Sequence, residues 1–145
     1  MTVPAPAPRP RVRVGTAYDV EPALAVWAAT QRAASQPPGP ARTHRVRAAL
    51  RSPTSLVLVA GEPVVGLLLA ELSDRRLELT MLCVAPAQQR TGVGRALVDA
   101  LLDRYPVVAT WTAQPALAES LGFARTGRVR DDEVELVSGV YGDPA

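Results

Sequence analysis

The segment with the clearest chemical potential is a glycine-containing turn at residues 89–95, Gln-Arg-Thr-Gly-Val-Gly-Arg. An apolar strand precedes it and an amphipathic helix follows, so the turn falls at a helix N-terminus. Unpaired N–H groups and the helix dipole make such a terminus favourable for an anion. Gly92 and Gly94 let a bulky diphosphate approach the backbone, and Arg90 and Arg95 add positive charge. The segment predicts a phosphate cradle; a tight turn for helix–sheet packing is the structural alternative.

Two common nucleotide-binding motifs do not fit this segment. A P-loop ends in Gly-Lys-Ser or Gly-Lys-Thr, and the chain contains no lysine. A dinucleotide-binding fingerprint needs a third glycine within a parallel βαβ unit. Residues 89–95 instead follow three predicted strands joined by short turns, which indicates a mainly antiparallel setting.

A resemblance to a known family rests on four segments. Residues 89–94 match the Gln/Arg-x-x-Gly-x-Gly/Ala motif of the GNAT N-acetyltransferase superfamily. Residues 83–86, Cys-Val-Ala-Pro, resemble that family's Val-x-Pro strand end, and residues 121–123 resemble its Leu-Gly-Phe signature. Residues 61–66 resemble the hairpin before its central strand. The resemblance covers about residues 11–140.

This resemblance implies an acetyl-coenzyme A-dependent N-acetyltransferase that acts by direct attack of an amine, from a small molecule or a peptide, on the thioester. In the family, the pantetheine arm pairs with the central strand and the diphosphate rests on the amides of the following turn. The thioester enters a splay between the central strand and the next strand, here predicted at 107–111. The implied cofactor-binding residues are Leu82, Cys83, Val84, Gln89, Arg90, Thr91, Gly92, Val93, Gly94 and Arg95.

Amine acetylation needs a base, because an alkylamine with a pKa of about 10 must lose a proton before it attacks. Glu78 lies six residues before Val84, a spacing that resembles the catalytic glutamate of the histone-acetylating branch. We therefore predict Glu78 as the base, direct or through a water, with an exposed strand glutamate as the alternative interpretation. Glu71 is a second candidate. For the oxyanion we expect a backbone N–H near residues 82–84, freed by a bulge.

The general acid is where the chain departs from the family. Many relatives carry a tyrosine shortly before the Gly-Phe dipeptide, and Ala118 stands at that position. An asparagine common at the end of the preceding strand is replaced by Trp111, with Gln114 nearby. Solvent or Cys83 could supply the proton, although Cys83 is more typical of a small buried apolar residue. Two alternatives therefore stay open: a weak or inactive acyl-CoA-binding sensor or partner module, and a transferase for a longer acyl group.

Hydrophobic periodicity and the glycine and proline positions predict the elements that position these residues. Their order is β-α-α-β-β-β-α-β-α-β-β, a mixed, mainly antiparallel α/β (α+β) sheet of six to seven strands flanked by about four helices. The third helix must connect parallel strands. Strands are predicted at 11–16, 55–60, 64–72, 77–84 and 107–111, with two more within 124–140; helices are predicted at 19–34, 43–51, 92–104 and 115–121.

Length and composition limit the remaining functions. We expect residues 1–10, with four prolines, to form a disordered tail, and residues 11–145 to form one domain. The 16 cationic side chains are all arginine and face 14 acids, a balance that does not favour nucleic acid. One cysteine and one histidine argue against a disulfide and a metal site, and no apolar run suits a membrane. We expect a cytoplasmic enzyme without metal; a homodimer is an open alternative.

Three further features have both a structural and a functional interpretation. Basic side chains on the second predicted helix indicate a solvated face, or a surface that meets an acidic acceptor. Trp27 is predicted to lie in the core. The acidic run at 131–135 is predicted as a hairpin tip, with a site for a cationic acceptor as the alternative. The basic side chains are Arg42, His44, Arg45, Arg47 and Arg51.

Overall fold

The computed structural model describes residues 10–138. Within this range seven strands form one sheet, in the order β1-β2-β3-β4-β5-β7-β6, with four helices on its faces. The strands are β1 (Val12–Val14), β2 (Ser55–Ala60), β3 (Gly66–Ser73), β4 (Arg76–Val84), β5 (Val108–Thr112), β6 (Ala124–Arg130) and β7 (Glu133–Val137). The helices are α1 (Val20–Ala33), α2 (Pro40–Arg51), α3 (Val93–Arg104) and α4 (Pro115–Ser120). The predicted α/β architecture is confirmed.

The two faces of the sheet carry different helices. Helices α1 and α2 lie over β2, β3 and β4, and we call this side the α1 face. Helices α3 and α4 lie on the opposite side, the α3 face. Leu24 and Trp27 of α1 are buried on the first face, and Leu97 and Leu101 of α3 on the second. This spacing of three to four residues is that of an amphipathic helix, and it confirms Trp27 as core.

Two of the element boundaries that differ from the sequence predictions have a local cause. Helix α2 begins at Pro40, before the predicted start at residue 43, because proline at the first helical position has a suitable fixed φ and needs no N–H partner. Strand β1 ends at Val14, before the predicted residue 16, since a short 3-10 turn follows at Ala17–Asp19. The predicted tail at 1–9 and the end of the last predicted strand, 139–140, lie outside the described residues.

Strands β4 and β5 are the one parallel pair of the described sheet, and their pairing is short. Residues 77–79 of β4 pair with residues 108–110 of β5, and beyond that point the two strands separate. The crossover through α3 supplies this parallel connection, as predicted. A wedge therefore opens between the C-terminal half of β4 and the end of β5.

A β-bulge lies at the same point of β4. Leu69 of β3 pairs with Met81 and Ala70 pairs with Leu79, so Thr80 has no partner in the ladder. An extra residue reverses the alternation of side chains along a strand. Leu79 before the bulge and Leu82 after it consequently both point to the α3 face.

An ion pair with a buried carboxylate and a partly exposed arginine spans strand β5. Glu135 of β7 is 2% exposed and accepts hydrogen bonds from Arg76 of β4 (2.6 Å) and from Thr126 (2.8 Å) and Arg128 (3.3 Å) of β6. Burial alone favours the protonated acid, but the hydrogen bonds from Arg76 and Thr126 outweigh it and hold the pKa of Glu135 below its ordinary value. The prediction that the whole run at 131–135 is a hairpin tip is therefore wrong for Glu135, which belongs to the buried part of β7.

Replacing Glu135 should destabilise the fold in a pH-dependent way. Glu135→Gln removes the charge that pairs with Arg76, and we expect a loss of about 2 kcal/mol or more at pH 7 by urea denaturation. A lowered native pKa stabilises the fold above the unfolded pKa of about 4.3, and this contribution disappears as the pH falls through the native pKa. The difference in the free energy of unfolding between wild type and Glu135→Gln should therefore become smaller as the pH falls from about 5 to about 3.

Glu133→Gln is the matched control for this measurement. Glu133 lies two residues away on the same strand, but its partner Arg130 is on the surface, at 3.1 Å. Surface ion pairs contribute about 0–1 kcal/mol, so this variant should remain close to wild type. Equal decreases in the free energy of unfolding for Glu135→Gln and Glu133→Gln would contradict the role given to the buried carboxylate of Glu135.

Candidate functional site

The turn at 89–95 lies at the start of α3, as predicted. Gly92 has a left-handed backbone with φ of 89°, a conformation that favours glycine, and it directly precedes the helix. The first N–H bonded within the helix is that of Ala96, which donates to the Gly92 carbonyl at 3.0 Å. No side chain of residues 10–138 caps this helix, so N–H groups of its first turn stay available to an anion.

Side chains on either side of Gly92 hold the turn in place. The Thr91 hydroxyl donates to the Gln88 carbonyl, and the Gln89 side-chain amide donates to the Val84 carbonyl at 3.2 Å. Arg90 adopts a positive φ of 65°, which is uncommon for a residue with a Cβ. The turn is thus shaped by its own hydrogen bonds and by local backbone strain.

A cavity of about 460 Å³ lies in front of this turn. It is bordered by Leu82 and Val84 of β4 and by Leu117 and Leu121 at α4. A Cβ added at Gly94 would approach only the side chains of Val84 and Leu82, at 3.7 and 3.8 Å, which is ordinary contact. The space at Gly94 therefore belongs to the cavity. Its volume, the small residue and the uncapped helix together fit a phosphate-bearing ligand.

Most of the predicted cofactor-binding residues line this cavity, but Cys83 and Thr91 do not. The Cys83 side chain lies on the opposite side of the sheet, in the core beneath α1, with its Sγ 3.9 Å from the Thr30 hydroxyl. Burial raises the pKa of the Cys83 thiol. Cys83 is thus a core residue, and its backbone alone can face a ligand. The residues that do line the cavity are Leu82, Val84, Gln89, Arg90, Gly92, Val93, Gly94 and Arg95.

A smaller cavity of about 180 Å³ fills the wedge between β4 and β5. Leu82, Leu117 and Leu121 border both this cavity and the previous one, so the two adjoin each other. Ala118, which stands at the sequence position of the family's tyrosine, lines the wedge. Trp111 also lines it.

A third cavity, of about 610 Å³, lies on the α1 face between β4 and β6. Trp111 borders both this cavity and the wedge, so the three cavities lie in a row, each next to the following one. Glu78 lines the third cavity, and one of its oxygens accepts from Nε and Nη2 of Arg76, at 3.2 and 3.1 Å. The guanidinium carbons of Arg128 and Arg130 lie 5.7 and 4.4 Å from the Trp111 ring centroid.

The three arginines of this third cavity, Arg76, Arg128 and Arg130, were missed by sequence reasoning. Arg128 and Arg130 had a usable signal, because alternate residues of a strand share a face. Arg76 had no local signal, since its buried partner Glu135 lies 59 residues away in sequence.

Another cavity, of about 290 Å³, lies between β1 and α2. The carboxylate that lines it, Asp19, is already bound by neighbouring residues. Asp19 accepts from both Nη atoms of Arg13, at 2.7 and 2.8 Å, and from the backbone N–H and hydroxyl of Thr16. These contacts, led by the Arg13 hydrogen bonds, hold the pKa of Asp19 well below its ordinary value. The arrangement ties β1 to the start of α1 and is structural.

The basic face of α2 is also engaged within the domain. Arg47 makes a bidentate contact with Glu21, and Arg42 bonds to Gln31 and lies 5.6 Å from the Trp27 ring centroid. These contacts favour the solvated-face interpretation. None of the helices in the range 10–138 has the length and apolar character of a membrane span.

Residues 30–134 match the family described as the Acetyltransferase (GNAT) domain. The chain belongs to the GNAT acetyltransferase family. This result agrees with the fold, the turn at 89–95 and the wedge between β4 and β5. The comparison with curated proteins gives no match.

Solved GNAT structures share the architecture at low sequence identity. An aminoglycoside 6'-acetyltransferase type Ii superposes with a TM-score of 0.73 at 14% identity, over 92% of this chain and 99% of that one. The ribosomal-protein-S18-alanine N-acetyltransferase of Escherichia coli gives 0.68 at 19% identity, over 94% and 98%. The PaiA N-acetyltransferase of Thermoplasma acidophilum, in complex with coenzyme A, gives 0.66 at 12%, over 91% and 99%. At these identities the likeness establishes the GNAT fold.

Gly94→Asp should weaken coenzyme A binding without unfolding the protein. The new carboxylate would extend into the cavity before α3, where it would obstruct and repel a diphosphate. We expect affinity to fall at least about tenfold by calorimetry, equivalent to about 1.4 kcal/mol.

The control substitution is Gly39→Asp. Gly39 precedes α2 with an ordinary negative φ of −81°, and a Cβ there would meet nothing within 4 Å. Aspartate is a favourable residue at this position, so coenzyme A affinity should stay unchanged. Unchanged affinity in a folded Gly94→Asp protein would reject the assigned diphosphate site.

Proposed function

We propose that this GNAT protein is an acetyl-CoA-dependent N-acetyltransferase that acetylates an amine by direct attack on the thioester. The observation that carries the proposal is the row of three adjoining cavities, with the wedge between β4 and β5 in the middle. The α3 face offers a phosphate cradle, the wedge has room for a thioester, and the α1 face offers a charged chamber for the amine. The coenzyme A in the PaiA structure gives further support. The proposal also includes a single domain over residues 11–145 that acts in the cytoplasm, on a small-molecule or peptide amine.

The cofactor half of the site uses backbone groups. Beyond residue 79 the edge of β4 has lost its β5 partner, so peptide groups on that edge can pair with the amides of a pantetheine arm. The start of α3 and the space at Gly94 would hold the diphosphate. Arg90 and Arg95 border the same cavity and add positive charge.

Glu78 is the proposed base, because it lies where the wedge meets the α1 face. It pairs with Ala109 next to the last register pair of β4 and β5, and its side chain is 21% exposed in the third cavity. Arg76 binds one of its oxygens; among the described residues the other has no hydrogen-bond donor, so it can accept a proton from an amine or a water.

The oxyanion donor belongs at a different place from the one predicted. The bulge lies at Thr80, two residues before the predicted 82–84 segment, because the register with β3 shifts between Leu69 and Ala70. Thr80 and Met81 line the wedge. We therefore assign the donor to a backbone N–H of this bulge.

The leaving thiolate would be protonated by solvent. Ala118 cannot donate a proton, and Cys83 lies on the other face. A thiol pKa of about 8.5 lies only about 1.5 units above neutrality, so a dedicated acid contributes less than it would for an alkoxide.

The second candidate function is an acyl-CoA-binding module with weak or no turnover. Ala118 in the wedge and the contact of Arg76 with Glu78 favour it. A thiol-release assay across amines, aminoglycosides, amino acids and peptides, with acetyl-CoA and longer acyl-CoA, separates the two functions. Tight acetyl-CoA binding with no thiol release would support the binding module.

Glu78→Gln should lower kcat by about 100-fold or more, the usual scale of acid–base assistance, with little change in acetyl-CoA affinity. Glu71→Gln is the informative comparison, since Glu71 pairs with Glu78 across β3 and β4. If kcat fell in Glu71→Gln but not in Glu78→Gln, Glu71 would be the base. A wild-type rate for Glu78→Gln from pH 6 to 9 would remove Glu78 from the mechanism.

Ala118→Tyr should increase the acetylation rate by no more than about tenfold, or about 1.4 kcal/mol of barrier. The phenol would restore a proton donor, but it would also fill part of the wedge. Single-turnover acetylation of a responsive amine measures the effect. An inactive wild type combined with an active tyrosine variant would contradict our view that the acid is dispensable.

A further inference from the structure

We infer that the acceptor is a zwitterionic amine, one that carries a carboxylate in addition to the amine that is acetylated. The inference rests on the proposed function and specifies its substrate class. The observation behind it is that acidic and basic groups occupy opposite sides of the cavity on the α1 face, with Trp111 between them.

The acidic side lies on β4 and the turn before it. Glu78 is next to the wedge, and Asp74 also lines the cavity. Arg76 faces this side too, but its guanidinium is shared between Glu78 and the buried Glu135. An ammonium group delivered to the wedge would meet a carboxylate at the place where it must lose a proton.

The basic side lies on β6. Arg128 and Arg130 have side chains that are 68% and 55% exposed, and their guanidinium carbons lie within 6 Å of the Trp111 centroid. Each makes one ion pair in residues 10–138, with Glu135 at 3.3 Å and with Glu133 at 3.1 Å. Because a guanidinium has five N–H donors, both can still bind a carboxylate.

Glu135 offsets this basic side only in part, because its single negative charge is shared between Arg76 and Arg128. One of its oxygens accepts from Thr126 and the other from Arg76 and Arg128, and the residue is 2% exposed. Glu133 is partly exposed beside Arg130 and leaves Arg128 unaffected. A ligand in the cavity therefore meets positive charge on β6 and negative charge on β4.

This separation of charge discriminates among amines. A molecule with its amine toward Glu78 and a carboxylate toward Arg130 satisfies both sides. A diamine in the same pose would direct its second ammonium at two guanidinium groups, so repulsion would exclude it. An amine without a second charge would gain nothing on the basic side.

The test compares acceptors that differ only in the second group. 4-Aminobutanoate, butylamine and 1,4-diaminobutane form one set, and phenylalanine, phenylalaninamide and phenethylamine form a second, with ω-amino acids of other lengths added. Thiol release gives kcat/KM for each. We expect the kcat/KM of the acceptor with a carboxylate to exceed that of the other members of its set by about tenfold or more.

Arg130→Gln tests whether Arg130 binds the carboxylate of the acceptor. Its ion pair with Glu133 is exposed, so the loss of stability should be small. We expect the KM for the carboxylate acceptor to rise by about 10- to 100-fold, with kcat and the KM for acetyl-CoA unchanged. The kcat/KM of the amines without a second charged group should stay the same. Arg125→Gln is the control on the same strand, since Arg125 contacts Glu119 of α4 instead; it should behave as wild type.

Two results would overturn the inference: equal or better turnover of the amines that lack a carboxylate, or an unchanged KM in Arg130→Gln. Absence of thiol release with every acceptor would instead count against the proposed enzyme. In that case calorimetry of the same carboxylate amines, with wild type and Arg130→Gln bound to coenzyme A, still decides the inference. Binding that is equal in the two proteins, or absent from both, would reject it.

Discussion

The ion pair between Arg76 and the buried carboxylate of Glu135 is the contact on which the two halves of this sheet depend. It reaches from β4 across β5 to β7, at the end of the sheet where β4 and β5 are still paired. The same guanidinium binds Glu78, so one side chain both links β4 to β7 and holds the candidate base in position. Stability and the placement of the base are therefore coupled: a change at Arg76 alters both.

The other end of the β4–β5 pair is open, and the site depends on that opening. Three register pairs hold the strands together, and the bulge at Thr80 follows directly. Beyond it, β4 presents backbone groups that a continuous sheet would have consumed. The missing partner thus leaves a strand edge that is free to bind a ligand, and the alternation reversed by the bulge directs Leu82 and Val84 toward the α3 face.

The predictable part of the structure is the part encoded locally. The glycines and arginines of 89–95, the apolar stripe of α3 and the position of Ala118 can all be read from short stretches of sequence. Glu135 was misassigned because its acidic neighbours suggested a surface turn, whereas its partner Arg76 is distant in the chain. The bulge was placed two residues too far along, since it depends on the register with β3, which local spacing does not specify.

On the proposed function, the two substrates would enter separately, because the turn before α3 and the cavity on the α1 face lie on opposite sides of one sheet. Neither route would pass through the other. The architecture would then impose no obligatory order of arrival, and the acetylated amine could leave while coenzyme A is still bound. The sheet would separate the two substrates everywhere except at the gap between β4 and β5, where the reaction would take place.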